Sequence, residues 1–401
     1  MKVVTFFEKD PVLYIEKLRN CLNDISPDLF ILFLPPYIYS HRVFLELLKN
    51  TLGDTTWISL SSVAVMEGKR IGYDHFGGFA IKFERNGSFE VYTVENFSTM
   101  DIDYLREIVQ NFLKEDSSTY LLFSTAQNNQ TNRLLDRIFK SDGYPKVRIY
   151  GGVASSNLKG FTTYISENEK VLEDGIILVK LHNVISYNTL SFGFIPVGTT
   201  YRITKARDNR LYEIDGMNVE YFLFNLLSNT ELKPEDLTQE TTSEILWEFP
   251  LLLIDESRRY VTSIRTFNEF DKNEKCVKFY GLIREGSLIK LSTGDSEDIL
   301  KDVKTRAKEF YSMLTYSKRK PELILNISCT ARNYVLLTDK REDSEQEIYS
   351  DTLRDFNTVG FLTFGEIGPD RFGKPGEFFN ETSILVGLEE SDGLQDKRKN
   401  T

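Results

Sequence analysis

Five short stretches of this chain carry residues able to do chemistry. Cys329-Thr330-Ala331-Arg332 sets a thiol three places before a guanidinium, and Gly365-Glu366 ends an apolar run on a glycine and a carboxylate. Asn380-Glu381-Thr382, Ser61-Ser62 and Gly151-Gly152-Val153-Ala154-Ser155 supply amides, hydroxyls and exposed backbone N–H groups. A guanidinium is a planar fork for a carboxylate or phosphate. A carboxylate suits an ammonium or a hydroxyl. Arg332 and Glu366 could thus clamp a small zwitterion, with Gly365 letting the backbone approach it. Each residue also has a plainer reading. Arg332 could form a structural ion pair, Glu366 itself being one candidate partner. Gly365-Glu366 could cap a turn on a solvated edge. Asn380 and Thr382 could close a turn through side-chain-to-backbone hydrogen bonds. Ser61 and Ser155 could be turn residues, and Gly151-Gly152 could allow tight packing rather than form an anion nest. Cys329 would need a nearby base and a lowered pKa to act as a nucleophile. No histidine is placed for that by sequence, so a packed or cavity-lining thiol is the simpler reading.

These stretches fall at the ends of apolar runs that follow one plan three times. The runs "DLFILFL", "TYLLFSTAQ" and "ELILNISCTAR" read as buried strands. Each leads through a helical pattern ("HRVFLELLKNTL", "NNQTNRLLDRIF", "SEQEIYSDTLRDF") to a second strand, "TWISLSSVAVM", "VRIYGGVASS" or "VGFLTFGEIGPD". A helix between two strands favours parallel pairing with a right-handed crossover. Ligands of open α/β sheets sit beyond the carboxyl ends of such strands. The strand ends of the three units are therefore expected to converge on one crevice. Alternating runs after each unit read as hairpins, the clearest being "GGFAIKFERNGSFEVYTV" with Asn86-Gly87 as its turn. Two further stretches read as hairpin followed by helix, one from Ser191 and one from Cys276, and Asp295 or Ser296 is expected to cap the second helix. The expected fold class is α/β, with mixed sheets built from repeated βαβ-plus-hairpin units in two intimately packed halves. The boundaries are placed at 1–235, 236–387 and a disordered tail, 388–401.

Composition narrows the function. The net charge of −11 repels phosphate backbones, and no basic patch offsets it, so no nucleic-acid partner is expected. No apolar run reaches the roughly 20 residues of a membrane helix, and charges interrupt the first residues too early for a signal peptide. A cytoplasmic chain without membrane insertion is expected. Cys21, Cys276 and Cys329 fit neither a disulfide framework nor a zinc site, and His41, His75 and His182 are scattered. No metal and no cofactor are expected.

The segments "YGGVASSNLKGFTTYISENEKVLEDGIILVKL", "VGTTYRITKARDNRLYEIDGMNVEYF" and "ISCTARNYVL…VGFLTFGEIGPDRFGKPGEFFNETSILV" resemble the paired N- and C-terminal FIST domains (F-box and intracellular signal transduction) over residues 25–387. The resemblance implies an intracellular sensory module for a small ligand, amino acids being the favoured class. It also implies a signalling partner such as a histidine kinase, since the chain leaves no room for an output domain of its own. An enzyme is not expected. Two departures stand out. Where the family tends to read Gly-Cys-Arg-Pro-Ile-Gly, this chain has Gly193-Phe194-Ile195-Pro196-Val197-Gly198, and Phe379 stands where a His often precedes Asn-x-Thr. Both make that region more apolar and weaken the haem and nitric-oxide-sensing branch of the resemblance, because haem iron takes His or Cys ligands. A protein-interaction scaffold without a metabolite is the other alternative.

Overall fold

A computed structural model describes residues 1–114, 118–127, 129–140, 143–157, 162–228, 231–255 and 260–391. Its body is one unit repeated three times. Each repeat runs outer strand, helix, central strand, helix, second central strand, hairpin, return strand. In the first repeat these are Lys2–Glu8, Pro11–Ile25, Leu29–Leu34, Arg42–Leu52, Thr56–Ser61, the hairpin Ala64–Tyr73 and Phe76–Lys82. The second runs from Ser88–Glu95 to Gly175–His182, and the third from Val184–Ser191 to Ser383–Glu390. The two central strands of each repeat pair in parallel, as the continuous apolar runs and the intervening helices require. Local sequence explains the helix starts. The Asp10, Asp101 and Asp295 carboxylates each accept two first-turn N–H groups, so Asp295 is the cap rather than Ser296.

The hairpins are exchanged in a cycle. The first repeat's hairpin, Ala64–Tyr73, pairs with Thr358–Thr363 and completes the third repeat's sheet. The third repeat's hairpin, Gly365–Phe379, pairs with Arg148–Val153 of the second. The second repeat's hairpin, Ile165–Leu172, pairs with Thr56–Ser61 of the first. Phe33, Phe123 and Phe361, one from each central pair, meet in the shared core, with Phe361 4.4 Å from Phe33 and 6.1 Å from Phe123 between ring centroids. Glu390 ties the circle shut. It is fully buried and accepts from the N–H groups of Glu84, Arg85 and Gly87, 2.7 Å from the Met1 ammonium.

A separate lobe interrupts the third repeat between its outer strand and its first helix. It spans Ile195–Thr293, an eight-stranded antiparallel sheet with a core of its own built on Ile203, Leu211, Phe267 and Phe279. The expected boundary at 235/236 falls inside this lobe, where Ile195–Arg207 pairs with Leu288–Thr293 across it.

Four local expectations are corrected. Residues 77–94 are not a hairpin: Phe76–Lys82 belongs to the first sheet and Ser88–Glu95 to the second, and the Asn86-Gly87 loop between them is held by Glu390. Cys276–Phe279 and Leu288–Thr293 do not pair with each other either, since Arg210–Ile214 and Leu251–Ile254 supply their partners. The strand at "ELILNISCTAR" ends at Cys329, and a helix not expected from the sequence, Thr330–Thr338, follows at once. The return strand runs through residues 388–390, so the tail does not begin at 388. Residues 392–401, the rest of that expected tail, lie outside the described residues.

Candidate functional site

The carboxyl ends of the second central strands do meet, but in a packed junction rather than a crevice. Ser155 donates its N–H to Ser61 O (2.9 Å) and its hydroxyl to Leu362 O (2.6 Å). Ser62 Oγ donates to Leu362 O and accepts from Leu362 N–H, while Phe364 N–H donates to Val153 O. Ser61 and Ser155 are fully buried, and Ser61 Oγ accepts from Tyr164 N–H. Glycine is required here by closeness. A Cβ on Gly151, which has φ +149°, would lie 1.8 Å from Leu122 O, and one on Gly365 would lie 2.1 Å from the Phe378 ring. Gly151, Gly152 and Gly365 thus serve strand pairing, since each stands in the ladder between Arg148–Val153 and the third hairpin.

The open space lies to one side of this junction, between body and lobe. A pocket of about 300 Å³ is formed by the loop and first helical turn after the second repeat's first central strand, the corresponding turn of the third, and the inner face of the lobe. From the body come Thr125 to Gln127, Asn129 to Asn132, Val153, Cys329 to Ala331, Thr363, Phe364, Phe378 and Asn380. From the lobe come Asn209, Trp247, Thr266, Asn268, Phe279 and Tyr280. The lobe is pinned in place by Leu282 N–H on Asn132 Oδ1 (2.7 Å), by Arg133 and Asp208 (3.3 Å), and by Arg265, whose Nη1 donates to Phe378 O (3.0 Å). Burial pulls the Arg265 guanidinium down to about 10. Among the described residues no Lys, Arg, Asp or Glu lines the pocket.

Of the ten residues singled out from the sequence, Cys329 and Asn380 line this space. Glu366 and Thr382 lie behind it. Glu366 is fully buried, and its Oε2 accepts from Thr382 N–H (3.2 Å) and Thr382 Oγ1 (2.7 Å). Burial drives its carboxyl well above the usual range. Glu381 stands next to it with its Oε1 accepting from Thr266 Oγ1 (3.0 Å), and burial lifts it to about 8. Burial, then the two acids, push the Cys329 thiol up, the opposite of what a nucleophile needs. The zwitterion clamp is corrected by Arg332. Its Nε binds Glu345 Oε2 (2.8 Å), Nη2 binds Ser191 Oγ (2.9 Å) and Nη1 binds Phe192 O, so the fork is filled by the fold and does not face a ligand with Glu366.

Several lining residues were not anticipated. The amide-rich run Gln127–Asn132 was visible in the sequence as a polar turn with more side-chain amides than a turn needs. Trp247, Asn268 and Tyr280 carry no such signal, because only the folding back of the lobe brings them near. Three polar atoms of lining residues have no hydrogen-bond partner among the described residues: Asn380 Oδ1, Asn268 Oδ1 and Trp247 Nε1. His41, His75 and His182 line none of it. His75 Nδ1 lies 2.8 Å from Tyr73 O and His182 Nε2 2.7 Å from Glu90. Among the described residues no cluster of His, Cys, Asp and Glu is placed to hold a metal, and no helix is long and apolar enough to cross a membrane.

A model of the FIST N domain matches residues 28–217 and a model of the FIST C domain matches residues 220–369. An uncharacterized protein of Aquifex aeolicus (strain VF5) is 27% identical over 280 residues, covering 64% of this chain and 97% of the relative. The junction of the two domain models falls inside the lobe, beside the helix Val219–Leu226.

Proposed function

The chain belongs to the FIST family of sensory domains in signal transduction, and from that premise we propose that it senses a small metabolite held in the pocket between lobe and body, and signals through a partner protein. The observation that carries this reading is the pocket itself. It is concave, part apolar and part polar, and lies where α/β folds bind ligands. Catalysis is not proposed, because burial, Glu366 and Glu381 push the pocket's one thiol up and no histidine stands among the described lining residues. The amino-acid class meets a difficulty, since an ammonium and a carboxylate would find no charged side chain in the lining.

Mass spectrometry of small molecules released from natively purified protein tests the reading. Wild type should release one enriched compound. Ala331→Trp, which fills the pocket, should release none while keeping its melting temperature within a few degrees. Release of nothing by wild type, with no rise in its melting temperature in a metabolite extract, would defeat the sensor. The scaffold reading then becomes the stronger one. It draws on the exposed Tyr221 and Phe224, three residues apart on one lobe helix. Haem reconstitution should give no sharp Soret band, and a band abolished by substituting a single histidine would overturn that expectation.

A further inference from the structure

The helix Ser296–Tyr316 leaves the lobe directly, two residues after the lobe's last strand, Leu288–Thr293. Ile299, Val303, Ala307, Phe310 and Leu314 bury one side of it in the shared core. The same helical period sets Lys301, Lys304 and Lys308 on the opposite side, all exposed, with Thr305, Ser312 and Thr315 beside them. From Lys301 to the helix end, about 22 Å by helical rise, this stripe carries no acid. Tyr316, 92% exposed, ends it, and exposed Lys318 follows. The acids nearby are engaged elsewhere. Arg306 binds Glu309 (2.6 Å) and Asp302 (3.2 Å), and Asp355 takes the Tyr311 hydroxyl (3.0 Å). Among the described residues none of the four lysines forms an ion pair, whereas Lys2, Lys17, Lys49 and Lys69 each reach a carboxylate. Lys304 and Lys308, one turn apart, repel each other, so helix stability does not account for the stripe. These lysines are too widely spaced to read as a basic run along the chain, and only the helical turn aligns them.

We propose, resting on the reading that the chain signals through a partner protein, that this stripe docks an acidic helical segment of that partner, its carboxylates on Lys301, Lys304, Lys308 and Lys318. Charge complementarity selects the occupant. The chain is −11 overall, so a cationic strip one helix wide stands in an acidic surface. An acidic helix matches that strip in length and width. A membrane or a nucleic-acid duplex presents a wider field of phosphates, which would also bear on the acidic flanks, within the roughly 10 Å over which charges act. The chain's own residues 392–401 are a poor complement, with Lys397, Arg398 and Lys399 against Asp392 and Asp396. The stripe also lies on the lobe's own exit, so a change in how the lobe seats on its ligand would reach it through two residues.

The probe is a synthetic alanine-based helix with glutamates along one face, titrated by fluorescence anisotropy against the full chain at physiological ionic strength. Its twin carries lysines in their place. Wild type should bind the glutamate helix and not the twin. Lys301→Glu/Lys304→Glu/Lys308→Glu should bind it at least about tenfold more weakly, about 1.4 kcal/mol, and the corresponding glutamine triple at least about threefold more weakly. Lys9→Glu/Lys114→Glu/Lys272→Glu changes the net charge equally at exposed sites on other elements. It should lose less than about twofold, because salt screens charges beyond about 8 Å. All three variants should melt within a few degrees of wild type. Equal losses in the stripe and control variants would overturn the proposal, as would no binding of the glutamate helix at millimolar concentration. Tighter, stripe-dependent binding to phosphatidylserine vesicles or duplex DNA would overturn it too. The compound released from native protein is read separately. A released compound without stripe-dependent binding sinks the docking surface and leaves the sensor standing, whereas stripe-dependent binding without any released compound sinks the sensor and leaves the docking surface standing.

Discussion

Replacing Arg332 with Met should destabilise the protein by about 3–5 kcal/mol, the usual cost of removing one partner from a buried ion pair. Arg332 is wholly buried and Glu345 is 3% exposed, so the orphaned carboxylate could not turn to solvent. Its Oε1 accepts from Ser328 Oγ at 2.8 Å. The guanidinium also joins the third repeat's helix to its outer strand through Ser191 and Phe192, and those contacts would go with it. Glu345→Gln alone should also be costly, because it leaves a buried cation. The double variant should recover part of the loss, since a buried pair is worth far less than either charge left alone costs. Denaturant unfolding of the four proteins measures the cycle. A loss below about 1 kcal/mol for Arg332→Met would mean that the fork is not structural and would reopen its role in holding a ligand.

Glu381→Gln should act in the opposite direction and only at higher pH. Burial lifts the Glu381 carboxyl from its ordinary value of 4.5 to about 8. Between those values the folded protein holds a proton that the unfolded chain releases. Wild-type stability therefore falls as pH rises from about 4.5, and the loss is complete above about 8. A shift of this size corresponds to about 3–5 kcal/mol, at roughly 1.4 kcal/mol per unit. Gln keeps the shape and an acceptor for Thr266 Oγ1 without the ionisation. The variant should melt like wild type at pH 4.5 and well above it at pH 8.5. Equal melting temperatures at pH 8.5, or a variant weaker at both, would show that Glu381 is not a buried neutral acid.

What could be read from the sequence was what local pattern encodes. The parallel pairs were legible because a strand covered on both faces is a continuous apolar run, as "LFILFL" is. Alternation in residues 77–94 marked two strands correctly but could not name their partners, and the Asn86-Gly87 turn suggested the wrong ones. The helix Thr330–Thr338 was hidden because no capping residue stands before it; a cysteine does. At the site, Cys329 and Asn380 were within reach of pattern because both sit at strand ends of the repeat. Arg332 showed the limit. Its residue type fits a ligand and a structural pair equally well, and only the burial of Glu345 beside it decides. Trp247 was beyond reach, since its distance to Cys329 is set by how the lobe folds back and by no periodicity in the chain.

The cyclic exchange of hairpins has a consequence for how the protein is made. On a ribosome the hairpin Ala64–Tyr73 emerges before the second repeat, yet the strand it joins, Thr358–Thr363, emerges only after the second repeat and the lobe, Glu67 pairing with Val359. The second repeat likewise waits for Gly365–Gly368 to cover Arg148–Val153. Of the three body sheets, only the first can close before the lobe is made. Until then two nascent sheets present bare edges, and such edges invite pairing with other chains. Co-translational closure is thus denied to the second and third sheets of the body. Its yield in a cell should depend on elongation rate and on holding chaperones more than its final stability would suggest.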